Sequence, residues 1–211
     1  MSPRGRRPGG EDTRAAIVDA ARTEFAQRGY DGTSLRAVAR EAGVDPKLVH
    51  HYFDGKSELF VEVMAFPANP AVLVERIAAA PRSELGPTLA RVFLAVWDSP
   101  EGRERFAAMF AAAAAHEEHA RMVREFVGRE VLHRVVETMR ESGAPEREGE
   151  SLEVRVALGA AQLIGTGLLR YVVKVPAVAD ASVDELVAIL GPSLQHHLVP
   201  PTPLAPSPPG D

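Results

Sequence analysis

Between residues 36 and 56 the chain gathers side chains that donate hydrogen bonds over a long reach: Arg36, Lys47, His50, His51, Tyr52 and Lys56. Groups of this kind can reach base edges and phosphate oxygens on double-stranded DNA. Other reactive sets are sparser. His116 and His119 stand three apart with Glu117 and Glu118 between them, a spacing that can chelate a metal but usually marks solvated surface. His196 and His197 are adjacent and so face apart on a helix. The absence of cysteine removes disulfides, thiolate zinc sites and a cysteine nucleophile. There is no Walker loop, no dinucleotide glycine fingerprint and no Gly-x-Ser-x-Gly elbow. No metal, no cofactor, no catalytic residue and no enzymatic activity are therefore expected.

The donors sit on elements that local rules define. Ile17, Val18, Ala21 and Phe25 fall at helical spacing between Asp12 and Gly29, and Gly29 is placed to end that helix. Thr33 and Ser34 offer N-caps for a short helix carrying Leu35, Val38 and Ala39. Gly43 breaks it, and Asp45-Pro46 starts the next, with Asp as cap and Pro at the first helical position. Asp54-Gly55 is a turn before a helix from Ser57 to Met64. A small Ala39, a turn at Gly43 and an apolar Val49 are the spacing of a helix-turn-helix, whose second helix exposes Lys47, His50 and His51. A plain helical corner with a solvated polar face has the same spacing.

The whole chain reads as all-α. After Pro67 and Pro70, helices are expected over 70–80, 84–98, 101–115, 117–142, 151–174 and 183–198, and no stretch alternates like a strand. The 211 residues include 24 Lys+Arg against 29 Asp+Glu, but residues 1–60 are net +1 and the rest net −6. That asymmetry directs attention to the N-terminal part for DNA contacts. The start is basic without an apolar core, and no uncharged apolar run reaches the roughly 18 residues of a membrane span. A soluble, cytoplasmic protein without membrane contact is the expectation.

The stretch Thr33 to Leu59, TSLRAVAREAGVDPKLVHHYFDGKSEL, resembles the DNA-binding domain of TetR-family transcriptional regulators. The matching pieces over residues 12–64 are Phe25, Gly29-Tyr30, Thr33-Ser34, Val38-Ala39, Ala42-Gly43-Val44, His51-Tyr52-Phe53, Lys56 and Glu58-Leu59. Asp45-Pro46 and His50 depart from the usual pattern. The resemblance implies a three-helix helix-turn-helix domain over 12–64 and a helical ligand-binding and dimerisation domain over 65–198. A disordered basic arm over 1–11 and a disordered Pro-rich tail over 199–211 would flank them. It further implies base-edge contacts by Lys47 and His51, thymine-methyl contacts by Pro46 and Leu48, and phosphate contacts by Thr33, Ser34, Arg36, His50, Tyr52 and Lys56. The arm Arg4-Gly5-Arg6-Arg7 could reach a minor groove or act only as a charged tail.

Beyond residue 70 the resemblance is architectural. Trp97, Phe106, Met109, Phe110 and Phe126 are candidates to line a ligand pocket, although most such residues are ordinary core. Gln162 and Thr166 could orient a ligand or could satisfy each other or a backbone carbonyl. Gly159, Leu163, Leu186, Ile189, Leu190 and Leu194 are candidates for a two-fold four-helix interface, with glycines accepted for close helix approach. Together these imply a homodimeric repressor that leaves a palindromic DNA operator when an unidentified apolar or amphipathic small molecule binds. The alternative is a helical small-molecule carrier whose N-terminal unit only packs.

Overall fold

The computed structural model describes residues 10–141 and 150–199. Every element among them is helical. In order they are α1 (Gly10–Gly32), α2 (Leu35–Glu41), α3 (Pro46–Tyr52), α4 (Lys56–Val63) and α5 (Pro70–Ala78). A 3₁₀ turn (Arg82–Glu84) leads to α6 (Leu85–Trp97), α7 (Pro100–Ala115), α8 (Glu117–Phe126) and α9 (His133–Glu141). Then follow α10 (Leu152–Gly167), α11 (Pro176–Ala179) and α12 (Val183–Leu198). The expected basic arm Arg4 to Arg7 and residues 200–211 of the expected Pro-rich tail lie outside the described residues.

The chain groups into two compact units. The first holds the residues up to Val74 together with Val96–His133, and the second holds Glu75–Ala95 with the chain from Arg134 on. A boundary near residue 64 follows chain order; the packing does not. In the first unit α1 packs on α2, α4 and α8. Its core surrounds Phe25, Tyr30, Phe60 and Phe126, with Phe25 and Phe60 edge to face at 4.9 Å and Tyr30 and Phe126 at 5.3 Å. Burying each such ring contributes about 1.5–3 kcal/mol.

In the second unit α10 packs on α12, and Leu163, Leu186 and Leu194 join Ala90 and Leu94 in a shared core. Close helix approach occurs at Gly86 rather than at Gly159 or Gly165. A Cβ on Gly86 would collide with the Gly191 carbonyl oxygen, whereas one on Gly159 would meet Leu194 at an ordinary 3.6 Å and one on Gly165 would meet nothing within 4 Å.

Two helices expected to be regular carry wide turns. The run 117–141 passes through a π segment at Val127–Leu132, where the His133 amide donates to Gly128, five residues back. α10 continues into a second one at Leu168–Val172. By length and composition alone Leu152–Val172 could cross a bilayer, although it includes the charged residues Glu153, Arg155 and Arg170. Its arginines, however, are buried within the unit. Arg170 Nη1 donates toward the carbonyls of Val178, Ala179 and Ala181 at 2.6–3.2 Å and so closes the C-terminal end of α11.

Candidate nucleic-acid interface

α2 and α3 are set against each other by local geometry. Ser34 caps α2 by accepting from the Ala37 amide at 3.2 Å, and Asp45 caps α3 by accepting from the Lys47 amide at 2.8 Å. Between them Gly43 takes φ +66°, a conformation that costs other residues about 1–2 kcal/mol. The Val44 amide then donates back to Ala39 at 3.0 Å. Val38, Ala39 and Val49 are fully buried at the crossing, so the outward face of α3 is fixed.

That face carries Pro46, Lys47, Leu48, His50 and His51, all exposed. Leu48, at 39% exposure, is an apolar group in solvent among polar ones, a suitable partner for a thymine methyl. Arg36 is exposed on α2, and Ser34 keeps its hydroxyl proton because its cap uses an acceptor lone pair. Tyr52 is half-buried against the core, with its ring 5.1 Å from that of His51.

Thr33 is a correction. It is 3% exposed, and its hydroxyl lies 2.8 Å from the Gly29 carbonyl and 3.1 Å from that of Glu24. Its proton closes the end of α1, where Gly29 at φ +73° interrupts the helix. A hydroxyl so engaged has none left for a phosphate.

Lys56 begins α4. Its ammonium donates to the Tyr30 carbonyl at 2.8 Å and stands 4.4 Å from the Tyr30 ring centroid. Burial pushes it below the usual lysine range, and the nearby Asp31, Glu130 and Glu125 oppose that shift. An ammonium has three protons, so one bond to Tyr30 leaves two for an incoming anion. Sequence reasoning missed Glu130, the buried acceptor of the Tyr30 hydroxyl at 2.7 Å. The available signal was an acid one helical turn beyond the buried Phe126.

The ligand-pocket candidates divide between the units. Trp97, Phe106, Met109, Phe110 and Phe126 fall in the first. Trp97 meets Phe106 at 5.1 Å, Phe106 meets Phe110 at 4.6 Å, and Phe66 links Trp97 to Phe126. Phe126 is fully buried in the core beneath α1 and α4, which gives it a packing role first. Gln162 and Thr166 fall in the second. There Gln162 bonds Ser193 at 2.8 Å and the Thr166 hydroxyl donates to the Gln162 carbonyl at 2.9 Å.

The dimer candidates also divide. Leu163, Leu186 and Leu194 point into their own unit's core and Gly159 faces Leu194, whereas Leu190 is half-buried and Ile189 is 67% exposed. Among the described residues no group of three or more His, Asp or Glu could hold a metal ion, and His116 and His119 stand as a pair.

Residues 17–63 match the family model for bacterial regulatory proteins of the tetR family, and residues 83–198 match that of the tetracyclin repressor-like C-terminal domain. The chain is 28% identical over 189 residues to the HTH-type transcriptional regulator BetI of Rhizobium meliloti (strain 1021), spanning 88% of this chain and 89% of that protein. The BetI of Brucella anthropi is 43% identical over 51 residues, 24% of this chain and 26% of that one. A TetR-family regulator from Streptomyces coelicolor A3, solved by crystallography, is 32% identical, covers 92% of this chain and 99% of its own, and has a TM-score of 0.49. The capped, glycine-turned helix pair lies inside the first matched region and the helices α6 to α12 lie inside the second, and on those two matches the chain belongs to the TetR family of DNA-binding transcriptional regulators.

Proposed function

We propose that this regulator is a cytoplasmic homodimeric repressor that binds a palindromic operator and leaves it when a small apolar or amphipathic molecule binds. In this reading Lys47 and His51 touch base edges, and Pro46 and Leu48 meet thymine methyls. Ser34, Arg36, His50, Tyr52 and Lys56 hold phosphates, Lys56 from the amide-rich start of α4. The observation that carries the dimer is an apolar stripe exposed along α10 and its continuation, Val154, Leu158, Leu169 and Val172, with Ile189 on α12. An apolar surface of this kind is the usual mark of a protein interface. A second copy is the fitting occupant because the described residues of each chain hold a single reading head, and two heads about 34 Å apart read two half-sites. The core leucines 163, 186 and 194 then support the interface from behind instead of forming it.

The effector is assigned to the aromatic group Trp97, Phe106, Met109 and Phe110 near the reading head's core. A ligand weakens operator binding by as much as it prefers a state unsuited to DNA, and no more. Selection of bound sequences from a random DNA pool, with the molar mass followed in solution, tests the reading. Enrichment of an inverted repeat by a dimer is expected. A monomer that enriches one half-site overturns it. Loss of binding to the selected DNA on adding apolar ligands would complete the repressor mechanism, and ligand binding without that loss would remove it.

A further inference from the structure

Tyr30 has an unusual set of obligations. Its ring is buried among Phe25, Phe60 and Phe126, at 6.0, 5.0 and 5.3 Å between centroids. A phenylalanine would fill that space equally well. The hydroxyl adds a polar group to an apolar core, and beside it Glu130 adds a second, itself buried. Burying such groups costs stability unless they bond each other. They do so at 2.7 Å. Glu130 is brought there by the π segment, in which the wide turn changes the facing of the residues that follow Phe126.

The other end of Tyr30 faces Lys56. The backbone carbonyl accepts from Nζ at 2.8 Å and the ring face stands 4.4 Å from it. A lysine ammonium on a free four-carbon stem samples many positions. Held twice by one residue, this one is confined before any anion arrives, with two protons left to donate. Its direction then depends on where the Tyr30 ring and carbonyl sit, and the Glu130 bond fixes the far edge of that ring.

We infer that Tyr30 and Glu130 are positioning residues for DNA binding: their buried hydrogen bond sets the ring and carbonyl that aim the Lys56 ammonium at a phosphate. This rests on the reading of Lys56 as a phosphate ligand. The test is a double-mutant cycle on the operator recovered by selection, with affinity measured across a salt series and melting temperature recorded alongside. Tyr30→Phe keeps the ring and removes the bond, and is expected to weaken specific and random DNA alike by about three- to tenfold. Glu130→Gln keeps an acceptor and should stay near wild type, whereas Glu130→Met should match Tyr30→Phe. Lys56→Ala should lower the slope of log affinity against log salt by about 0.9 per chain. In the Lys56→Ala background, Tyr30→Phe should then change nothing further. An equal loss from Tyr30→Phe in both backgrounds, or a lower melting temperature with unchanged affinity, overturns the positioning role. An unchanged affinity and slope for Lys56→Ala overturns the phosphate reading beneath it.

Discussion

The reading head and the α10–α12 pair are both built from helices with apolar residues at helical spacing, yet they assign those residues in opposite ways. In the head the apolar side is almost wholly inside, and the exposed side of α3 is polar apart from Pro46 and Leu48. In the α10–α12 pair the apolar residues lie on both sides. Leu163 and Leu194 are buried, while Val154 and Leu158 on α10 and Ile189 on α12 are half or more exposed. A helix that is apolar all round either sits in a core or has a second partner. The contrast separates a surface made for a polyanion from one that still has apolar area to cover.

Substitutions on the two sides of the pair sharpen that contrast most. Leu194→Ala, at a fully buried position, should cost about 2–5 kcal/mol in thermal or denaturant unfolding. Ile189→Ala should change the stability of an isolated chain by no more than about 0.5 kcal/mol, yet lower the molar mass seen at micromolar concentration. Equal effects on unfolding would erase the distinction between core and interface. In the head, Lys47→Ala should cost about 1–3 kcal/mol on the selected operator and relax preference at the base it reads, with little loss on random DNA. Gly43→Ala probes the turn alone. A Cβ there would touch nothing within 4 Å, so the expected loss of about 1–2 kcal/mol in unfolding comes from the backbone at φ +66° and not from a clash.

The smallest effect concerns acid. The Arg14 guanidinium donates to Glu62 at 2.8 Å and holds its carboxyl below the usual range. A carboxyl depressed in the folded state contributes fully above its unfolded value, near pH 4.3, and loses that contribution as pH falls through the folded value. Both partners are more than two-fifths exposed, so the pair is worth at most about 1 kcal/mol. Glu62→Gln should therefore be slightly less stable than wild type at neutral pH and converge with it as acid protonates Glu62, as read by urea midpoints across pH.

These differences also explain what could be read from the chain. Gly43, Asp45-Pro46 and Ser34 act through their own backbone and the next two or three residues, so their roles follow from local chemistry. Ala39 and Val49 follow once the turn is placed. Thr33 did not yield to the same logic, because two residue types that can cap a helix stood side by side. Only the packing decides that Ser34 caps α2 while Thr33 closes α1. In α10 and α12 spacing specifies which residues share a face but not which way the face points. Leu163 and Ile189 had equal claims until a neighbour was known. The π segments were hidden because their extra residue leaves composition and periodicity nearly unchanged. The union of α7 and α8 with the head is a contact between distant parts of the chain, which no local pattern carries.

That union sets the order in which the protein can be made. The first sixty-four residues leave the ribosome with Phe25, Tyr30 and Phe60 on one side, and the side chains that complete their core, Met122 and Phe126, follow some sixty residues later. At about 5–20 residues per second the nascent head waits roughly 3–12 s with aromatic surface uncovered. A fragment ending at residue 64 would never leave that condition. A chimera that transfers DNA specificity by exchanging the N-terminal residues alone must therefore match them to the recipient's α8, since the surface that α8 covers is part of what is being moved.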